Sequence, residues 1–435
     1  VPKNPAIAFV TLGCPKNEVD SDRMAAAVSQ VYRIVSDPDS ADVVVLNTCS
    51  FIQAATEESI SEALALAGEW RPAGDDRKLI VAGCMVSRYG DELAAALPEA
   101  DAFLPVADED SLGRVLERLL GTPPALPAYG RPAGGVLRLA PGPTAYLKVS
   151  EGCDRKCAYC TIPSIRGPFV SAPVADILDE ARFLIEGSAR ELVLIGQDIA
   201  SYGYDLAGQT ELADLVEQLD ALEGDFRLRL MYLQPDGVTD RLLAAVAAST
   251  HVCHYLDIPL QHVSASVLGA MCRTGDPARH RALIAKIRAA LPDVTLRTTV
   301  MAGFPGETEA DAAELETFLA EAELDFVGVF AFSPEEGTLA AEMADPLPDD
   351  VRAERAQRLR DVADDAGFAR ASALVGSVQR VLVEGTDEGE LVGRTCGQAP
   401  EVDGLTVLQF EAAIGDFVDV RIVEAAGYDL VGDPL

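Results

Sequence analysis

The sequence predicts an α/β protein in three parts: an open parallel α/β domain, a central partial (β/α) barrel, and a small antiparallel β-barrel at the C-terminal end. Three observations predict it. Short apolar runs alternate with amphipathic helical stretches over residues 5–120, the same alternation resumes over residues 144–373, and after Gly376 the pattern changes to short alternating strands with Gly and Asp turns. A chain of 435 residues with 49% apolar and 24% charged residues has material for two to four packed cores, which excludes disorder throughout. No run approaches the roughly 18 apolar residues of a membrane helix. Val1–Val10 shows no processing site of a secretory signal.

In the first domain the strand-like runs are Ile7–Leu12, Val43–Asn47 and Leu79–Gly83, and the helical stretches lie near Ser21–Val31, Glu57–Glu69 and Gly90–Leu97. Strand, helix, strand in succession requires a parallel sheet. Residues 121–143 hold Pro123, Pro124, Pro127, Pro132, Pro141 and Pro143 among several glycines and read as a linker. The second domain, 144–373, has candidate strands Ala145–Val149, Glu191–Ile195, Arg227–Leu233, Tyr255–Leu260, Thr295–Ala302 and Phe326–Phe332. Six βα repeats suit a whole or partial barrel, with chemistry at the C-terminal strand ends. Leu315–Ala322 and Val351–Ala373 read as helices, the latter as solvent-facing because of its many charges. Residues 374–435 offer strands Val378–Val383, Leu391–Thr395, Thr406–Phe410, Val418–Glu424 and Tyr428–Val431, a small barrel of the kind that binds nucleic acid or peptides.

Charge narrows the partners. Lys and Arg number 35 against 70 Asp and Glu, so the formal net charge is −35. Such a field repels a polyanion and attracts a basic protein; acidity that serves only solubility is the alternative. From Leu374 onward the basic residues are Arg380, Arg394 and Arg421 against twelve Asp or Glu. An RNA-gripping module normally offers a basic face, whereas this one suits a lysine- and arginine-rich protein.

Nine cysteines are too few for a disulfide scaffold and odd in number, which favours a cytoplasmic protein whose thiols serve metal or redox chemistry. Cys153, Cys157 and Cys160 form a C-x3-C-x2-C triplet just past a predicted strand. Three thiolates on one loop can grip three irons of a cubane and leave the fourth open for a ligand that is not protein. Zinc favours paired C-x2-C spacings, and no second pair exists here. Cys14, Cys49 and Cys84 each follow an apolar strand-like run, at a spacing of 35 residues, one βα unit each. Ligands gather beyond the carboxyl ends of parallel strands, so these three thiols can meet at one point, with Gly13 and Gly83 allowing close approach. Singly, each would read as a buried small apolar residue. Cys253, Cys272 and Cys396 have no partner spacing and read as packing or incidental thiols.

With Tyr159 before its last cysteine, the triplet resembles the signature of the radical S-adenosylmethionine (SAM) superfamily. The resemblance narrows to its methylthiotransferases over nearly the whole chain. Thr11-Leu-Gly-Cys-Pro-Lys-Asn17, Asn47-Thr-Cys-Ser-Phe-Ile52 and Ala82-Gly-Cys-Met85 look like their N-terminal domain. Cys153 through Cys160-Thr-Ile-Pro-Ser-Ile-Arg-Gly167, Gly196-Gln-Asp198, Pro259-Leu-Gln-His262 and Gly303-Phe-Pro-Gly-Glu-Thr308 look like their radical SAM domain, and the small barrel is similar to their TRAM domain. The resemblance implies two 4Fe-4S clusters, an auxiliary one on Cys14, Cys49 and Cys84 and a SAM-cleaving one on Cys153, Cys157 and Cys160. It implies SAM both as source of a 5′-deoxyadenosyl radical and as methyl donor, because an unactivated C–H bond yields to no acid or base near neutral pH.

Two branches of the family compete, one acting on a tRNA adenosine and one on the β-carbon of an aspartate in ribosomal protein S-12. Cys14-Pro-Lys-Asn-Glu-Val-Asp20, Tyr232-Leu-Gln-Pro-Asp236, Ser333-Pro-Glu-Glu-Gly337 and Gly393-Arg-Thr-Cys-Gly-Gln-Ala-Pro-Glu401 resemble the ribosomal-protein branch; Cys396 departs from its pattern, where a non-thiol residue is expected. The implied partners are that ribosomal protein and an electron donor of flavodoxin or ferredoxin type, with RNA contact only through the ribosome. Tyr159 is expected to pack on the SAM adenine or to be an ordinary core aromatic. Gly303 is expected to admit SAM at a strand end or to form a tight barrel turn. His262 reads as a structural histidine, and Arg155 and Lys156 as cations beside the cluster thiolates or ordinary surface charges.

Overall fold

The computed structural model describes residues 5–71, 74–121, 138–139, 141–208, 210–344 and 346–435, so the Pro-rich linker falls largely outside the described residues. The chain forms two compact units. The first gathers the described residues up to Leu139 together with Glu151–Arg155 and Cys160–Val170; the second gathers Pro141–Ser150, Lys156–Tyr159 and Ser171–Leu435.

In the first unit β1 (Ala6–Thr11), β2 (Arg33–Val35), β3 (Val43–Thr48), β4 (Lys78–Gly83) and β5 (Ala102–Pro105) form a parallel sheet of order β2-β1-β3-β4-β5. Side chains alternate across it. Ile7, Val43, Val45, Ile80 and Ala82 pack on one face with Met24, Val28, Leu112 and Leu116, and Ala8, Val44, Leu46, Leu79 and Val81 on the other with Ala63, Trp70, Met85 and Leu93. Burial on both faces explains why β3 is an unbroken apolar run. The expected strands are present, with short β2 and β5 added at the edges. All three helices expected here begin earlier than their apolar periodicity suggests, the second at Gln53. Pro15–Val28 starts at a proline in its first turn and Cys84–Ala96 starts directly after Gly83, with a break at Gly90.

The second unit holds β6 (Thr144–Lys148), β9 (Glu191–Ile195), β10 (Arg227–Leu230), β11 (Val252–Asp257), β12 (Thr295–Ala302) and β13 (Phe326–Ala331); the two-residue strands β7 (Ser150–Glu151) and β8 (Val170–Ser171) lie where the chain passes between the units. The order β13-β12-β11-β10-β9-β6 is sequential and parallel, an open six-stranded sheet, so the barrel is partial. The helix Asp349–Ser372 corrects an expectation. It is not simply solvent-facing, because Arg355, Ala356, Leu359, Ala363 and Gly367 are buried. Small residues let it lie close, and a Cβ on Gly367 would stand 2.4 Å from the Tyr428 ring.

The C-terminal strands β14 (Val378–Asp387), β15 (Glu390–Thr395), β16 (Thr406–Leu408), β17 (Phe417–Ala426) and β18 (Asp429–Pro434) close into a barrel around Val381, Val383, Leu408, Val420, Ile422 and Leu430. It is not wholly antiparallel: β16 and β18 pair in parallel, because β17 intervenes in sequence between them. Within the same compact unit the barrel is joined to the six-stranded sheet. Glu191 of β9 binds Arg227 at 2.5 Å, Arg229 at 2.7 Å and Arg394 of β15 at 3.2 Å. Burial by itself would raise the Glu191 carboxyl, but the three guanidiniums hold it well below the usual carboxylate range.

Candidate iron–sulfur centres

Cys14, Cys49 and Cys84 follow β1, β3 and β4, which are neighbours in the sheet. Cys14 caps the helix Pro15–Val28, Cys84 opens the helix Cys84–Ala96, and Cys49 precedes the helix Gln53–Ala65. Helix N-termini favour thiolates and other anions.

Asn17 ties these strand ends together. Its Nδ2 donates to the Leu12 and Thr48 carbonyls, both at 2.9 Å, which turns its Oδ1 toward two sulfurs: Cys14 Sγ at 3.9 Å and Cys84 Sγ at 3.7 Å. Asn47 Nδ2 donates to the Asn17 carbonyl at 2.9 Å and to Ser21 Oγ at 3.0 Å. Ser59 Oγ accepts from the Cys49 N–H at 3.1 Å and donates to the Cys49 carbonyl at 2.7 Å. Gly13 has φ +96°, and a Cβ there would lie 2.5 Å from Cys49 Cβ; a Cβ on Gly83, φ +90°, would lie 2.1 Å from Asn47 Oδ1. Both glycines are therefore required by backbone conformation and by space.

The thiols share one electrostatic neighbourhood. Burial pushes Cys49 up, with Cys14 adding to the rise. Burial likewise pushes Cys84 up to about 12, with Cys49 and Cys14 adding and Arg166 opposing. Among the described residues no three His, Cys, Asp or Glu side chains are gathered for a single metal ion. In a cubane each iron takes its own thiolate, which calls for a wider spacing. Three thiols, two of them at helix N-termini, and glycines that admit close approach fit such a group.

The second cysteine set lies on the loop after β7. Cys153 is buried, its N–H donating to the Gly167 carbonyl at 3.2 Å, and Gly152 has φ +73° with no room for a Cβ beside the Pro168 carbonyl, 2.1 Å away. In the second unit Arg273 Nη1 lies 3.9 Å from Cys157 Sγ and donates to Tyr159 Oη at 3.4 Å, while its Nη2 donates to Gln234 Oε1 and the Pro259 carbonyl at 2.7 and 2.8 Å. Arg273 is thus a cation beside Cys157 that local sequence around the triplet does not indicate. Tyr159 meets the Phe304 ring edge-on at 6.4 Å and packs against Ala158, Met271 and Phe332.

Gly303 closes the end of β12 with φ +77°, and a Cβ there would lie 2.5 Å from Arg352 Cγ. Its N–H donates to Glu307 Oε2 at 2.8 Å, and Glu307 Oε1 accepts from Arg355 at 2.7 Å. A tight turn against the helix Asp349–Ser372 accounts for this glycine by itself. His262 is fully buried, its Nδ1 accepting from the Ser264 N–H at 3.0 Å and its Nε2 3.6 Å from Glu307, a structural role.

Sequence reasoning assigned no role to Asn17, Asn47, Arg166, Arg273 or Glu307. The first three stand inside the cysteine-bearing phrases, which is the signal that could have marked them. It also gave Cys253 and Cys396 no partner, whereas in the structure the two thiols share one electrostatic neighbourhood with Arg227 and Arg229.

Comparison with known proteins agrees with this layout. Residues 6–105 match the family described as uncharacterized protein family UPF0004, residues 147–319 the radical SAM superfamily, and residues 375–435 the TRAM domain. The ribosomal protein uS12 methylthiotransferase RimO of Geobacter sulfurreducens is 42% identical over 438 residues, covering 98% of both chains. That of Syntrophomonas wolfei is 42% identical over 437 residues, covering 98% of this chain and 99% of its own. Among solved structures, the radical SAM methyltransferase TsrM of Kitasatospora setae, with cobalamin and a 4Fe-4S cluster bound, gives a TM-score of 0.56. The match spans 89% of this chain and 81% of that one at 13% identity, a likeness of fold alone.

Proposed function

The chain belongs to the RimO-type radical SAM methylthiotransferases, and from that membership we propose that it replaces a β-hydrogen of an aspartate in ribosomal protein uS12 (S-12) with a methylthio group. It is a radical SAM enzyme and uses SAM and iron–sulfur chemistry. Two clusters complete the reading, an auxiliary one on Cys14, Cys49 and Cys84 and a SAM-cleaving one on Cys153, Cys157 and Cys160. The observation that carries it is the meeting of the strand-end thiols Cys14 and Cys84 at Asn17 Oδ1, with Cys49 in the same electrostatic neighbourhood. When bound, such clusters supply the electron that cleaves SAM and an open iron for the incoming sulfur.

The chain's own residues position and exclude. Gly13 and Gly83 bring the backbone against the trio, and the helix N-termini behind Cys14 and Cys84 favour the thiolate form. Tyr159 and Gly303 border the SAM site in this reading, Tyr159 packed against Phe304 and Gly303 at the end of β12. The acidic barrel supports a basic protein partner. Of its three arginines Arg394 is buried among carboxylates, which leaves only Arg380 and Arg421 near the surface. A flavodoxin- or ferredoxin-type donor and a cytoplasmic setting belong to the same proposal.

The test is anaerobic incubation of the reconstituted full chain with SAM, reductant and either uS12 or bulk tRNA, followed by mass spectrometry. The methylthio gain is expected on one aspartate-containing uS12 peptide. A gain on tRNA instead, or none on the protein, overturns the assignment.

A further inference from the structure

Arg166 lies inside the first unit with its side chain 2% exposed. Its Nη1 binds Asp20 Oδ2 at 3.0 Å and the two Glu151 oxygens at 3.1 and 3.2 Å, and its Nη2 donates to Asn17 Oδ1 at 2.6 Å. The same Oδ1 stands 3.7 Å from Cys84 Sγ and 3.9 Å from Cys14 Sγ. One amide oxygen thus separates a permanently charged guanidinium from two of the three sulfurs.

The group is more than an anchor for its segment. A buried ion pair seldom stabilises a fold more than well-packed apolar residues do. Here the guanidinium stands one amide oxygen away from Cys14 and Cys84, inside a buried site where water does not screen its charge. Asp20, also 2% exposed, holds the guanidinium on one side while Asn17 holds it on the other. Neutralising Arg166 would remove its positive charge from between the Asp20 and Glu151 carboxylates and Asn17.

We propose that Arg166 is a positioning residue that sets the reduction potential of the cluster held by Cys14, Cys49 and Cys84, with Asp20 as the counter-charge that tempers it. This rests on the reading of that trio as cluster ligands. Each added electron makes a cluster more negative, so a fixed buried cation favours the reduced form and a fixed anion disfavours it. Arg166→Gln should lower the reduced-to-oxidised ratio at a set potential about tenfold, which for one electron is about 59 mV. Asp20→Asn should move it the other way, and Arg166→Lys should stay close to the parent.

The experiment uses the full chain with Cys153, Cys157 and Cys160 all replaced by Ala, so that only the trio can hold a cluster. Iron is counted after anaerobic reconstitution, and the potential is read by a redox titration followed by electron paramagnetic resonance. Opposite shifts in Arg166→Gln and Asp20→Asn support the proposal; a purely structural salt bridge would destabilise both variants without moving the potential in opposite senses. Intact clusters with no shift, or shifts of one sign, overturn it. If Arg166→Gln fails to hold iron, the rise expected in Asp20→Asn decides alone. If the parent chain itself takes up no cluster, the reading of the trio falls first and this inference with it.

Discussion

Two buried charge clusters, one in each compact unit, are built in opposite senses. In the first, a single guanidinium, Arg166, lies between the carboxylates of Asp20 and Glu151. In the second, a single carboxylate, Glu191, lies among Arg227, Arg229 and Arg394. The second closes on itself: Arg394 spends its remaining nitrogens on Glu384, the Gln398 carbonyl and Thr144, and so ties the barrel to the sheet. The first ends on Asn17 Oδ1, which faces two sulfurs. Buried charge alone therefore does not mark chemistry. What distinguishes the clusters is where their hydrogen bonds end, on backbone and barrel in one case and on thiols in the other.

If that contrast holds, substitutions around the first cluster cost cofactor and turnover, and substitutions around the second cost stability. The largest effects belong to the cysteines. Cys157→Ala should reduce SAM cleavage to background, measured as 5′-deoxyadenosine by chromatography. Cys49→Ala should retain part of that cleavage but yield no methylthiolated uS12. Identical behaviour of the two variants would break the division of labour between the sets.

Glu191→Gln comes next. It leaves three guanidiniums facing one neutral amide and should cost about 3–5 kcal/mol by urea denaturation, with iron content unchanged in the folded fraction. The pH dependence has a definite sign. Glu191 titrates lower in the folded chain than in the unfolded one, so its contribution is present above the unfolded carboxylate value of about 4.3 and is lost as the pH falls through the folded value. The gap between parent and variant should therefore be full and constant above about pH 5 and close as the pH falls below it.

Gly13→Ala should have a smaller effect on stability, about 1–2 kcal/mol for its left-handed backbone. It should lower bound iron by one cluster, because the new Cβ lies 2.5 Å from Cys49 Cβ. Unchanged iron would show that the close approach is not needed. The smallest effect is expected for Cys272→Ser, an exposed thiol outside both sets, within about 0.5 kcal/mol and with full iron.

The positions of the cysteines in the fold were legible because their spacing is local or repeats with the fold. C-x3-C-x2-C is a loop property, and a 35-residue interval equal to one βα unit turns chain spacing into adjacent strand ends. The six parallel strands of the second unit were legible for a similar reason, since Glu191–Ile195 and Thr295–Ala302 are bounded apolar runs whose limits coincide with the observed strands. Short edge strands such as Arg33–Val35 carry too few residues to show a period.

The amino-acid order by itself thus determined the alternation of elements, the placement of Cys14, Cys49 and Cys84 just past adjacent strands and the acidic character of the barrel. These depend on neighbours within a turn or a strand, or simply on counting charge. Only the tertiary structure decided that Arg166 would meet Asn17 across 149 positions and that Arg394 would reach Glu191 across 203. Such contacts have no period to betray them, because they are set by which strand ends and loops the packed layers bring together, and burial alone gives them their strength.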